Sequence, residues 1–127
     1  FRLLPGDTPD WVVQQITGIV DDPSISIRYD NWDRVPPVAD YRGGGFDIIR
    51  AAVAEVYPEA VVVPTLLVAT TDTRHYIDVA DDIYRFHGAM IPMSDTSSIH
   101  GTNERIGVES FERTVDIATH MIRKGSE

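Results

Sequence analysis

"AVVVPTLLVATTDTRHY", residues 60–76, starts apolar and β-branched and ends polar and charged. Residues 60–64, "AVVVP", read as a short buried strand, because β-branched runs of this kind suit the interior of a sheet. The following residues pass from apolar to polar, and Asp72 is placed to cap a turn or a short helix. Asp72 and Arg74 would lie just beyond the end of that strand, where ligands gather in open α/β sheets. An arginine there can grip a carboxylate with two parallel hydrogen bonds. A purely internal Asp72–Arg74 salt bridge is the plainer use of the same pair, and local sequence favours it.

Upstream, Phe46, Ile49, Val53 and Val56 step by three and four residues, which predicts a helix over 41–57 that Pro58 ends. The "GGG" at 43–45 lacks the Lys-Ser/Thr of a phosphate loop and reads as a flexible helix start or a close backbone approach. Downstream, "DIYRFHGAM" (82–90) alternates like a strand, and residues 91–107 read as loop. The last helix carries a stripe of Val108, Phe111, Val115, Ala118 and Ile122. Glu109 and Glu112 open it, Arg123 and Lys124 close it in accord with the helix dipole, and Gly125 stops it.

At the other end, residues 1–4 read as a strand remnant and "PGD" as a turn. Thr8 as N-cap, Pro9 at the first position and Val12, Ile16, Ile19 and Val20 at helical spacing predict a helix over 9–20. "SISIRY" (24–29) alternates as a half-exposed strand. "DNWDRVPPVAD" (30–40) carries the only Pro-Pro and no period, so it reads as a stiff connection. The expected division is therefore 1–30, a linker at 31–40, and 41–127, in an α/β fold.

Length and composition, 127 residues with 43% apolar and 24% charged, suit one globular domain, or one domain and part of another. With no cysteine, disulfides and thiolate zinc sites are excluded, so any metal must be held by His, Asp and Glu. A net charge of −9 and scattered Arg and Lys argue against nucleic acid as a partner. The longest apolar stretch, 60–69, is interrupted by Pro64 and is about half a membrane span, so no membrane association is expected. No signal peptide is visible, and the cytoplasm is the default compartment. The chain opens at Phe1 without Met, on what reads as a strand end, so a piece of a longer protein is expected.

Of the four histidines, His75, His87, His100 and His120, no two stand in a His-x-x-x-His pair. His87 and His120 read as structural. His100, in "SSIHGTNERI" (97–106), is either a surface side chain or a ligand, and as a ligand it needs at least two partners that the spacing does not show.

"TDTRHY", "IYRF" and "IHGTNERI", followed in order by a closing amphipathic helix, resemble the C-terminal part of the zinc-dependent aminoacylase/carboxypeptidase family. The form looks closest to its Gly-Xaa carboxypeptidase and N-acyl-amino-acid hydrolase branch. "FRLLPGDTPDWVVQQI" is similar to the last strand–helix–strand of that family's lid, or dimerisation, domain. The resemblance implies an α/β fold: the C-terminal half of a mixed-sheet dizinc peptidase domain, preceded by the end of an α+β lid domain. It implies that His100 is a zinc ligand, that Arg74 holds the substrate carboxylate, and that Arg2 also helps bind substrate. Asp72 would orient Arg74 or cap its loop, and Asn103 and Glu104 would shape the loop around His100. Thr70–Thr71 departs from the Gly or Asn usual before the Thr of this motif, and His87 stands where Pro often follows.

The resemblance further implies two zinc ions, with the remaining ligands and the Glu general base in the segment before Phe1. The substrate would be a peptide or N-acyl amino acid, the partners the missing N-terminal part of the same protein and a second copy through the lid. The 127 residues alone would be inactive. The alternative is a non-enzymatic, carboxylate-binding or self-associating α/β module.

Overall fold

The computed structural model describes residues 1–30, 36–67, 69 and 71–127. Residues 31–35 of the expected linker, and Thr70, lie outside the described residues. The chain divides into two compact units, residues 1–39 with 66–85, and residues 40–65 with 86–127.

The first unit contains α1, Pro9–Val20. Thr8 is its N-cap: the hydroxyl oxygen accepts the Trp11 N–H at 3.2 Å, and Pro9 sits where no amide donor is needed. The helix ends at Asp21, in the left-handed region at φ 46°, whose N–H reaches the Thr17 carbonyl. Beyond it, Asp22 Oδ1 accepts from both the amide and the hydroxyl of Ser24, at 2.9 and 2.7 Å. These two bonds favour the ionised carboxylate, the hydroxyl more than the amide, and hold Asp22 below its ordinary pKa. The Tyr29 hydroxyl donates to Asp10 Oδ1 at 3.1 Å, which raises the phenol's pKa and ties residues 24–29 to α1. A short 3-10 helix, Asp72–His75, follows the apolar run. Its cap is Thr71, not the expected Asp72.

The second unit is built on α2, Gly44–Val56, and α3, Val108–Lys124. Gly43 is the N-cap of α2 and supplies no side-chain bond. The stripe predicted for α2 faces inward: Phe46, Ile49, Ala52 and Val53 are buried, as is Tyr57 just after it. From α3 only Ile117 is fully enclosed, at 1% exposed. Gly88 makes this enclosure possible, because a Cβ there would stand 2.6 Å from Ile117 Cδ1 and 3.1 Å from its Cβ. Ser110 ties the start of α3 to Met90, donating to its carbonyl at 2.9 Å and accepting its N–H at 2.8 Å. The Arg113 guanidinium lies 4.9 Å from the Tyr57 ring centroid, and Lys124 pairs with Glu55 at 3.7 Å.

The apolar stripe of α3 does not face the packed side: Val108, Phe111, Val115 and Ile122 are 51–75% exposed. The helix meets α2 with the neighbouring face instead, where Arg113, Thr114, Ile117, Met121 and Lys124 are buried or half-buried. The expected mixed sheet is corrected here. The segments predicted as strands, 1–4, 24–29, 60–64 and 82–90, form no ladder among the described residues. A strand exists only with a hydrogen-bonded neighbour. None of these segments finds one here, and Val61 and Val63 stand 84% and 65% exposed. Residues 91–107, expected as plain loop, include a 3-10 helix over Met93–Ser98. No helix among the described residues is long and apolar enough to cross a membrane.

Candidate functional site

The candidate residues fall into two groups, one in each unit. Arg2, Asp72 and Arg74 belong to the first, and His100, Asn103 and Glu104 to the second.

Arg2 is exposed and precedes a turn closed by the Asp7 N–H on the Leu4 carbonyl at 3.0 Å, with Gly6 at φ 96°. Arg74 lies within the 3-10 helix and is half-buried. Asp72 is exposed and makes no hydrogen bond or ion pair with Arg74 among the described residues. Two threonines and a second arginine organise this turn. The Thr71 and Thr73 hydroxyls are 2.6 Å apart, and Thr71 Oγ1 accepts the Thr73 N–H at 3.4 Å. Arg85 Nε donates to Thr73 Oγ1 at 3.2 Å across twelve residues. Arg85 was visible in the sequence as part of "IYRF" but carried no assigned role; the spacing gives no sign that it reaches Thr73.

In the second unit, the loop carrying His100 is wound by its own polar groups. Ser98 Oγ donates to the Asp95 carbonyl at 2.7 Å, Thr96 Oγ1 to the Met93 carbonyl at 2.8 Å, and the Gly101 N–H to the Ser98 carbonyl at 2.8 Å. Arg105 pairs with Asp95 at 3.6 Å. His100 and Asn103 both adopt left-handed backbone, φ 60° and 63°. That conformation costs about 1 kcal/mol for a residue with a side chain, less for Asn and His than for branched residues. Glu104 offsets part of the cost: its Oε2 accepts the His100 N–H at 3.1 Å, closing the loop over four residues. The His100 side chain is exposed.

Among the described residues no three His, Asp or Glu side chains come together as a metal site. A catalytic zinc takes about three protein ligands, so these residues by themselves do not fit one. The arrangement offers a single exposed imidazole on a held backbone and a separate guanidinium-bearing turn.

The chain aligns along most of its length with hydrolases. It is 34% identical over 128 residues to an N-fatty-acyl-amino acid synthase/hydrolase of Bos taurus, covering 98% of this chain and 25% of that protein. It is 29% identical over 124 residues to a "Probable carboxypeptidase S-like 2" of Dictyostelium discoideum, covering 97% and 24%. It is 32% identical over 117 residues to an N-fatty-acyl-amino acid synthase/hydrolase of Danio rerio, covering 91% and 23%. The chain thus spans about a quarter of the length of the curated relatives it matches. No family model matches it, and no solved structure does. The ordered "TDTRHY", "IYRF" and "IHGTNERI" motifs and these relatives agree, and the chain belongs to the aminoacylase/carboxypeptidase family.

Proposed function

We propose that the chain is part of a zinc-dependent amidohydrolase or carboxypeptidase that cleaves a peptide or N-acyl amino-acid amide bond beside a free carboxylate. The observation that carries this reading is the similarity to named hydrolases over 91% to 98% of the chain. Residues 1–30 would close a lid and dimerisation domain and residues 41–127 would complete the catalytic one, joined by the linker at 31–40. His100 would supply one zinc ligand, the others and the general base coming from outside these 127 residues. The left-handed backbone at His100 and the Glu104 bond hold the start of that side chain in one place before any metal arrives. Asn103 would accept the second left-handed position of the same loop. Arg74, with Arg2, would hold the substrate carboxylate and set the amide over the reacting groups.

The exposed stripe of α3 and the unpaired segment at 60–64 then have one natural occupant, the rest of the same polypeptide. Its strands would pair with 60–64 and its apolar side chains would cover Phe111 and Val115. On this reading the 127 residues alone are inactive.

The test is kinetic and uses the full-length protein on an N-acyl amino acid. His100→Ala removes most turnover and lowers zinc content while the fold persists. Arg74→Ala raises KM roughly 10- to 100-fold, the worth of a charge-assisted hydrogen bond. Unchanged turnover with full zinc in the His100 variant overturns the ligand assignment.

A further inference from the structure

We propose that Arg85 is a second substrate-binding arginine, which takes the free carboxylate alongside the turn that carries Arg74. The inference rests on the reading of this chain as part of an N-acyl amino-acid hydrolase or carboxypeptidase.

The chain is acidic, with 20 Asp and Glu against 11 Lys and Arg, so carboxylates are at hand for a cation that folding partly buries. The partly buried cations of the second unit follow that pattern: Arg113 pairs with Glu109, and Lys124 with Glu55. Arg85 does not. It is half-buried, yet among the described residues its guanidinium is held only by a neutral hydroxyl, that of Thr73. Asp81 stands four residues away and forms no ion pair with it among the described residues. A guanidinium has five N–H donors in a rigid fork. One is used here, and the two terminal amino groups keep the pair of donors that matches a carboxylate.

The anchor matters as much as the free donors. Thr73 bonds Arg85 at Nε and Thr71 through its hydroxyl, so the guanidinium is fixed to the turn that carries Arg74. Ordering a long side chain costs side-chain entropy on binding. Here Thr73 has already ordered it. The result is a preset anion receptor, a guanidinium from "IYRF" held on the turn that follows the apolar run.

The competing role for Arg85 is a tether that only holds the turn in place. Kinetics on the full-length protein separate the two. The pair of substrates is an N-acetyl amino acid and the same compound with its carboxylate capped as a primary amide. Arg85→Met raises KM for the free acid roughly 10- to 100-fold and leaves the capped compound nearly unaffected. Arg85→Lys keeps charge but loses the fork, and restores part of the free-acid KM. Thr73→Val keeps both arginines and removes the anchor, so it lowers the preference for the free acid without abolishing it. Thermal unfolding of each variant identifies any that fails to fold; the lysine and valine variants then carry the test. Equal losses on both substrates, or full rescue by lysine, overturn the proposal and leave Arg85 a tether. If the wild-type protein hydrolyses neither compound, the functional reading itself fails, and this proposal with it.

Discussion

All six buried apolar residues, Phe46, Ile49, Ala52, Val53, Tyr57 and Ile117, belong to the second unit, while no described residue of the first is buried. The first is held instead by short polar links: Thr8 to Trp11, Asp22 to Ser24, Tyr29 to Asp10 and Arg85 to Thr73. Both units contain an amphipathic helix drawn from the same kind of sequence. The difference is a partner. α2 has α3 against its stripe; α1 buries no residue fully, and the outer stripe of α3 stands more than half exposed. An apolar periodicity shows that a face asks for cover, and packing alone shows whether the cover is within reach.

The strongest way to break this comparison is at Ile117. Truncation to Ala leaves a cavity in the second unit's small core and lowers stability by about 3 kcal/mol in urea unfolding. A loss below about 1 kcal/mol would mean that the α2–α3 contact does not hold the unit together. The next test falls on α3's outer stripe. Phe111→Ser and Val115→Ser remove apolar groups that are 56% and 51% exposed, so each changes the stability of the 127-residue chain by less than about 0.5 kcal/mol. In the full-length protein the same substitutions cost about 2 kcal/mol or more if the rest of the polypeptide covers the stripe. Equal small effects in both would leave a second copy, or nothing, as the occupant, and sedimentation of the 127 residues across a concentration series separates those two.

Helices were legible in the sequence because their causes are local. Thr8 before Pro9, the three- and four-residue steps of α2, and Gly125 after Lys124 each act within a turn or two. Strands were not, because "AVVVP" states a preference that only a neighbouring strand can realise. The stripe of α3 is apolar as its spacing indicates, yet the packed side of the helix is the neighbouring face around Ile117. At the candidate site, "IHGTNERI" drew attention to His100 through resemblance, but its left-handed backbone and the Glu104 bond were not readable from composition. Arg85 was missed because its contact with Thr73 depends on how two loops meet. Glu104→Ala sharpens this part of the comparison, since the loop is held by polar bonds in a unit otherwise held by packing. It should leave unfolding nearly unchanged and lower turnover of the full-length protein about fivefold, the roughly 1 kcal/mol of a typical hydrogen bond. A matching loss of global stability would place Glu104 in the core's support rather than the loop's.

The smallest effect concerns the first unit, where polar links stand in for a core. Two Ser24 donors hold the Asp22 carboxyl below its ordinary pKa. A group whose folded pKa is depressed contributes stability above its unfolded pKa and loses it as pH falls through the folded value. The end of α1 should therefore loosen only under acid conditions, below the ordinary carboxylate range. Ser24→Ala deletes the larger of the two causes, the hydroxyl, and leaves the amide donor in place. Carboxyl-detected NMR titration should find the Asp22 pKa moved up most of the way, but not wholly, to the value of a free aspartate. A pKa unchanged by that substitution would mean the hydroxyl bond does not persist in solution, and that even the short polar links of this unit need cover from elsewhere to form.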